Sequence, residues 1–191
     1  MNLKNYETMK KLLPILILSC MPVILVAQEK SHLGPISVEE QDAIVAMTAE
    51  GNGTMETIGQ ELGRLYGLIM AEIGKQNLQM SGPPFVHYLD YDETTGHSNY
   101  VAGIPVAKPG GDTDLVHPTF FAAMKVVQAM HTGPYEEFTT SYTEMEKYIE
   151  AHSLRVTGQA FEFYLTDAGS EPDPAKWRTL IAFPIQNEDG L

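Results

Sequence analysis

A glutamate lies among aromatic residues near the C-terminal end of the sequence, in the stretch Phe161-Glu-Phe-Tyr-Leu-Thr166. This stretch predicts a β-strand, whose side chains alternate between two faces. Glu162 and Tyr164 therefore share one face, opposite Phe161 and Phe163. A carboxylate beside aromatic rings can neutralise and stack with an organic cation. It can also act as a general acid or base if desolvation raises its pKa. A solvent-facing glutamate on a half-exposed strand is the third interpretation.

The strand that carries this glutamate belongs to a cassette that occurs twice. Residues 154–165 match residues 78–89 without a gap, and both fit L-x-[MV]-[ST]-G-x-x-F-x-x-Y-L. Tyr88 matches Tyr164, whereas Val86 stands in the place of Glu162. A repeat with only two copies predicts a pseudo-symmetric domain of two similar halves. The carboxylate is the point at which this symmetry is broken.

Alternation assigns the two faces of both cassette strands. Phe85, His87 and Leu89 fall together in the first copy, as Phe161, Phe163 and Leu165 do in the second. We expect this aromatic and aliphatic face to pack on a helix. The opposite face carries Val86 and Tyr88 from one half and Glu162 and Tyr164 from the other, and it is the candidate ligand-binding face.

Each half reads as strand, helix, strand, strand. In the first half a strand at 43–48 ends in a glycine-rich turn at 50–53, and strands follow at 85–90 and 100–106. The second half has an apolar run at 120–130 and strands at 161–166 and 177–185. Helical spacing gives the two helix faces: Ile58, Leu62, Leu65, Ile69 and Ile73, then Tyr135, Phe138, Tyr142, Met145 and Ile149. The pattern predicts an α+β fold of duplicated β-α-β-β units with pseudo-twofold symmetry, in which antiparallel sheets are each backed by a helix.

The N-terminal residues resemble an export signal. Lys4, Lys10 and Lys11 precede the apolar residues 12–26, and Ala27 offers a cleavage point. We therefore expect a signal peptide at 1–27, a tether at 28–40 and a domain at 41–187, with halves at 41–108 and 119–187. The mature protein would be periplasmic or secreted. An uncleaved anchor is one alternative, and a lipoprotein anchored through Cys20, the only cysteine, is another.

Charge and motif content exclude several function classes. The chain has 12 basic and 25 acidic residues, and removal of residues 1–27 takes away three lysines and Glu7, which moves the net charge from −13 to −15. A body this acidic is a poor partner for nucleic acid. The six histidines lack metal-ligand spacing, so we expect no metal and no cofactor. His131 reads as a local hydrogen-bonding residue, whereas Trp177 is equally suited to line a pocket or to fill the core.

Several segments in a fixed order resemble a known family. They are Val127-Gln-Ala-Met-His-Thr-Gly-Pro-Tyr-Glu-Glu-Phe138, Glu162-Phe-Tyr-Leu-Thr-Asp167, Asp173-Pro-Ala-Lys-Trp177 and Phe183-Pro-Ile185. Over residues 40–187 the sequence resembles the gyrase-inhibitor-like (GyrI-like) domains, also called the effector-binding domains of multidrug-sensing and AraC-type regulators. The resemblance implies a duplicated fold with a ligand cleft between the halves, and no helix-turn-helix region precedes it here.

The resemblance also implies a function. Family members bind hydrophobic, often cationic, small molecules, and a cleft glutamate that meets the cation corresponds to Glu162. We expect Glu162, Tyr164, Tyr88, Val86 and Trp177 to contact such a ligand in the cell envelope. Some relatives hydrolyse strained cyclopropane-containing compounds, and Glu162 with Tyr164 or Tyr88 would then be catalytic. Binding without turnover is the first expectation, and the alternatives are this hydrolase and an envelope protein-interaction module.

Overall fold

One antiparallel sheet of eight strands carries two α-helices in the computed structural model, which describes residues 32–92, 94–166 and 169–186. The predicted signal peptide at 1–27 lies outside the described residues. Neither helix in the described part of the chain has the length and apolarity needed to cross a membrane. The strands are β1 Ser37–Gln41, β2 Ile44–Thr54, β3 Phe85–Tyr88, β4 His97–Pro105, β5 His117–Phe121, β6 Met124–Thr132, β7 Phe161–Tyr164 and β8 Arg178–Pro184. The helices are α1 Ile58–Lys75 and α2 Phe138–Ala151, with 3-10 helices at Tyr135–Glu137 and Pro174–Lys176.

The strand order shows how the halves join. It is β1-β6-β8-β7-β3-β4-β2-β5, so β7 and β3 pair in the middle and each half adds two further strands outward from its own central strand. The predicted α+β class with antiparallel strands is confirmed. The halves share one continuous sheet, however, and do not form separate sheets. The duplication of a β-α-β-β unit stays a prediction.

The outermost strand on each side belongs to the opposite half of the sequence. β1 precedes β2 along the chain but pairs with β6, and β5 precedes β6 but pairs with β2. The predicted tether at 28–40 is therefore wrong for its last residues, which form β1. Val38 packs on the core while Glu39 and Glu40 are exposed. This alternation is too short to be distinguished from a polar linker in the sequence alone.

The helices follow the predicted apolar spacing and end in the same way. Leu62, Leu65, Ile69 and Ile73 of α1 are buried against β2 and β4. After each helix one residue has a left-handed backbone, Asn77 and Ser153, both with a φ of 52°. The next amide then bonds back to the helix, from Leu78 to Ile73 and from Leu154 to Ile149, both at 3.0 Å. This bond is typical of the Schellman motif, and it gives both helices the same exit toward a cassette.

The face prediction for the cassette strands is inverted. Val86 packs with α1, and Glu162 accepts a hydrogen bond from α2, so this side of the strands is the helix side. Phe85, Phe161 and Phe163 lie on the other side of the sheet. There they form an aromatic cluster with the Phe121 ring of β5, 5.5 Å from the Phe85 ring. Alternation separates the two sets of side chains, but it does not state which set the helices cover.

A glycine lies inside β2, at a position that the sequence predicts as a turn. Residues 50–53 continue β2 to Thr54, paired with β4 throughout. A Cβ atom at Gly51 would come within 2.6 Å of the Tyr100 ring and 2.7 Å of Leu65. Glycine is therefore needed because the buried Tyr100 ring lies directly on the backbone. A close approach of this kind has the same sequence signature as a turn.

A second close approach gives a stability prediction. A Cβ atom at Gly103 would lie 2.6 Å from Cε1 of Phe85, its fully buried cross-strand partner. We expect Gly103→Ala to lower the free energy of unfolding by about 1–3 kcal/mol, because the buried ring would have to shift to make room for the methyl group. Gly63→Ala is the matched control, since a Cβ there meets no atom within 4 Å. On helix propensity it should stabilise by about 1 kcal/mol. Equal denaturant midpoints for the two variants would contradict the prediction.

Candidate functional site

A carboxylate lies at the centre of the sheet. Glu162 of β7 is 2% exposed and pairs with Val86 of β3 on one side and Ile181 of β8 on the other. Its side chain lies on the helix side. The residues level with it across six adjacent strands are otherwise apolar: Ala129, Ile181, Val86, Ala102 and Ala49. Apolar neighbours of this kind do not compensate a negative charge.

Three tyrosine hydroxyls donate to this carboxylate. Tyr142 of α2 donates to Oε1 at 2.6 Å, and Tyr164 of β7 donates to Oε2 at 2.8 Å. Tyr88 of β3 donates to Oε2 over a longer 3.4 Å. The donors come from both halves and from sheet and helix, so the folded chain places them before any ligand arrives.

Burial and hydrogen bonding shift the acidities in this cluster. Burial raises the pKa of Glu162, and the bonds from Tyr142, Tyr164 and Tyr88 oppose that rise. Burial, together with the nearby carboxylate, raises the pKa of each of these three tyrosines well above its usual value. The phenols therefore remain protonated donors, and the carboxyl group is the member of the cluster that changes its charge.

A fourth tyrosine occupies the corresponding position in the first half. Tyr66 of α1 lies 76 residues before Tyr142, the offset that separates Tyr88 from Tyr164. Its hydroxyl donates to the backbone oxygen of Phe85 at 2.8 Å. Burial, followed by the charge of Glu162, raises the pKa of Tyr66 well above its usual value. Two pairs of corresponding tyrosines thus surround one carboxylate.

Aromatic side chains extend the cluster to the surface. The Tyr135 ring lies 5.8 Å from the Tyr164 ring and 4.8 Å from the Trp177 ring. Tyr135 is 38% exposed, and Trp177 is half-buried and donates from Nε1 to the backbone oxygen of Glu171. Trp177 therefore lies at the outer edge of the cluster. Trp177 is not part of the buried core clusters, and its role in lining a ligand pocket stays a prediction.

The structure brings four of the five predicted site residues together and places the fifth one ring further out. Glu162, Tyr164, Tyr88 and Val86 are neighbours, and Tyr135 connects them to Trp177. The sequence interpretation missed Tyr142, which it assigned to helix packing, and Tyr66, which it did not single out. The offset of 76, continued from the cassettes back into the helices, is the pattern that identifies both.

Two other polar side chains, Asp90 and His131, have local partners. Asp90 accepts from the Asn99 backbone and side chain, both at 2.8 Å, beside a surface cavity of about 530 Å³ at the β3–β4 turn. His131 is buried and contacts Ser141 through Nδ1 at 2.8 Å, and burial lowers its pKa. Within the described ranges no three His, Cys, Asp or Glu side chains are arranged to hold a metal ion. Among the carboxylates that the structure describes, Glu162 is the one whose whole residue is buried.

Comparison with known proteins adds a family and a fold. The family model for the GyrI-like small molecule binding domain matches residues 34–186. No curated protein matches the chain. Among solved structures, EcmrR bound to DNA has a TM-score of 0.74 and 18% identity, over 84% of this chain and 60% of that chain. The present chain therefore spans about 60% of the length of that relative.

Two further structures show the same fold. SAV2435, solved bound to tetraphenylphosphonium, has a TM-score of 0.56 and 16% identity, over 81% of this chain and 95% of that chain. A hydrolase encoded by lin2189 from Listeria innocua has a TM-score of 0.56 and 17% identity, over 79% and 91%. Since the matching family model covers most of the sequence, this chain belongs to the GyrI-like small molecule binding domain family.

Proposed function

We propose that this chain binds a small hydrophobic organic cation and that Glu162 is the counter-ion. The observation that carries the proposal is the burial of this carboxyl group without a cationic partner. The ion pairs among the described residues involve other carboxylates, none of which is as buried as Glu162. A buried carboxylate is costly unless a charge compensates it, and phenol hydrogen bonds compensate it only in part. A perturbed carboxyl group of this kind is typical of functional sites.

The aromatic surroundings favour an organic cation over a metal ion. Tyr66, Tyr88, Tyr142 and Tyr164 surround the carboxylate, and Tyr135 and Trp177 lie outside them. Ring faces attract cations, and rings also bury the apolar groups that such a ligand carries. The family description names small molecules as ligands, and the related protein SAV2435 was solved with an aromatic phosphonium cation.

The ligand enters where the aromatic cluster meets the surface. Glu162 is closed off in this structure, so side chains must move before a ligand reaches it. Tyr135 belongs to a three-residue 3-10 helix, and Trp177 directly follows another. Short elements of this type open locally at lower free energy than the central strands do. Tyr135 and Trp177 are therefore the proposed entrance.

A second function is supported by the protonation state. A raised pKa keeps Glu162 protonated at higher pH, which is what a general acid requires. Together with Tyr164 it would form the Glu and Tyr pair of a hydrolase of strained-ring compounds, and one related structure is a hydrolase. Turnover of a cyclopropane-bearing ester that is lost in Glu162→Gln would support this function. Binding without product formation would support the first.

We also propose that the domain acts outside the cytoplasm. The charged start and the apolar residues 12–26 support export, and Ala27 supports cleavage after it. Intact mass measurement on protein recovered from a periplasmic fraction tests this. Loss of residues 1–27 would agree with simple cleavage, whereas a lipid adduct on Cys20 would identify the lipoprotein alternative.

Substitution of the carboxylate should abolish tight cation binding. For Glu162→Gln we expect the Kd for tetraphenylphosphonium to rise about 30-fold or more, because the cation then enters a buried site without a counter-ion. Glu146→Gln, on the exposed side of α2, removes the same formal charge from the surface and should leave the Kd within about twofold. Calorimetric titration of both variants checks this, and an equal loss in both would contradict the role of Glu162.

Cation binding should also tighten as pH rises. Because the pKa of Glu162 is raised, the carboxyl group of the ligand-free site stays protonated at pH values at which an ordinary glutamate is ionised. A bound cation displaces this proton. The affinity for tetraphenylphosphonium should therefore rise by up to about tenfold per pH unit below that pKa and level off above it. Tyr142→Phe removes a bond that lowers the pKa, so it should move the levelling point to higher pH. A flat pH profile with wild-type protein would contradict the mechanism.

The same shift predicts the pH dependence of stability. Because the folded pKa of Glu162 is raised, the folded ligand-free protein binds this proton more tightly than the unfolded chain does. The contribution is therefore present at low pH and is lost as pH rises through the folded pKa. The difference in Tm between wild type and Glu162→Gln should change across this window in ligand-free protein, as thermal melts at several pH values will show. A constant difference would be the contrary result.

A further inference from the structure

Val86 and Glu162 occupy corresponding positions on either side of the sheet centre. They match in the repeated cassettes, and they are also direct cross-strand partners. The two adjacent pairs are Phe85 with Phe163 and His87 with Phe161. If each residue is replaced by its match in the other half, one of these pairs becomes the other. The point about which the halves correspond therefore lies between Val86 and Glu162. Side chains at such a pair of positions lie about 5 Å apart on one face of the sheet.

The phenol groups around this point are present in both halves. Tyr142 and Tyr164 donate to Glu162 in the second half. Tyr66 and Tyr88 stand in the matching positions of the first half, but Val86 offers them no acceptor. Tyr66 accordingly donates to the Phe85 backbone oxygen, and Tyr88 reaches across to Glu162 at 3.4 Å. The first half thus has the donors of a carboxylate site and lacks the carboxylate.

We propose that Val86 is a specificity-determining residue that limits the ligand to a single positive charge. The inference rests on the proposed function, since it concerns the cation that Glu162 binds. The ligand's charge lies at Glu162, and its uncharged body lies over Val86 between Tyr66 and Tyr88. A compact dication would place its second charge beside Val86, in apolar surroundings that leave it uncompensated.

A glutamate at position 86 should reverse this preference. Tyr66 and Tyr88 match the positions of Tyr142 and Tyr164, which donate hydrogen bonds to Glu162, so they would be the donors to a glutamate at position 86. Without a ligand, two neighbouring carboxyl groups share a proton, because the second ionisation is opposed by the first charge. A bound dication would compensate both. The charge that the site accepts would then increase from one to two.

Two probes of nearly the same shape test the charge limit. 1-Methyl-4-phenylpyridinium carries one positive charge, and 1,1′-dimethyl-4,4′-bipyridinium carries two on a similar two-ring frame. Calorimetric titration of the full chain gives the ratio of their Kd values in wild type, Val86→Glu and Val86→Gln. We expect wild type to favour the monocation at least tenfold. Val86→Glu should shift the ratio at least tenfold toward the dication, whereas Val86→Gln, of the same size but uncharged, should not.

Exchange of the two residues covers the case in which Val86→Glu does not fold. The double variant Val86→Glu with Glu162→Val keeps one buried carboxylate and the total side-chain volume. It should bind the monocation within about tenfold of wild type, whereas Glu162→Val alone should not bind it.

Four results would overturn the inference. They are equal binding of both probes by wild type, the same ratio in Val86→Glu and Val86→Gln, an exchanged variant that folds without binding the monocation, and failure of both Val86→Glu and the exchanged variant to fold while Val86→Gln folds. If wild type binds the monocation but any of these results is found, only this inference fails. If wild type binds neither probe and no tetraphenylphosphonium, the proposed function fails with it.

Discussion

A carboxyl group removed from water must be stabilised by whatever surrounds it, and the centre of this domain is arranged around that requirement. Glu162 is 2% exposed and accepts from hydroxyls on α2, β3 and β7. Tyr142 is the donor that lies outside the sheet, and its hydrogen bond connects α2 to the carboxylate at the centre of the sheet. The phenols stabilise the charge incompletely, because burial still raises the pKa of Glu162. Under the proposed function, a group held in that state exchanges its proton for the cation of the ligand.

Matching positions in the two halves of the sequence supply the tyrosines of the site, and the difference between Val86 and Glu162 makes its two sides unequal. Tyr66 and Tyr142 correspond between the halves, as do Tyr88 and Tyr164, and they surround a point at which the sheet pairs Val86 with Glu162. A site with a carboxylate on both sides would repel itself when empty. A site with valine on both sides would not distinguish a cation from a neutral aromatic molecule. The single glutamate avoids both outcomes, and it makes one half of the site polar and the other apolar.

Much of the fold and of the site can be predicted from the sequence, because the two copies of the cassette can be compared position by position. The cassettes located β3 and β7, the helical spacing found the buried face of α1, and the mismatch of Val86 with Glu162 identified the central carboxylate. Three features were not accessible. Alternation does not state which face meets the helices, so the phenylalanine face was assigned wrongly. Gly51 gives the same pattern as a turn although it accommodates the Tyr100 ring. Tyr142 occupies a helical position that also suits packing; the offset of 76 pairs it with Tyr66, and its contact with Glu162 shows its second role.

The exchanged edge strands have a consequence for motion. β1 extends the strands of the second half and β5 extends those of the first, while β3 and β7 pair at the centre. Each half therefore has an edge strand that comes from the other half. A hinge that swung the halves apart would break backbone ladders at three places. The sheet is therefore rigid. Under the proposed function, space for a ligand has to come from movement of the helices and short turns that cover one face of the sheet.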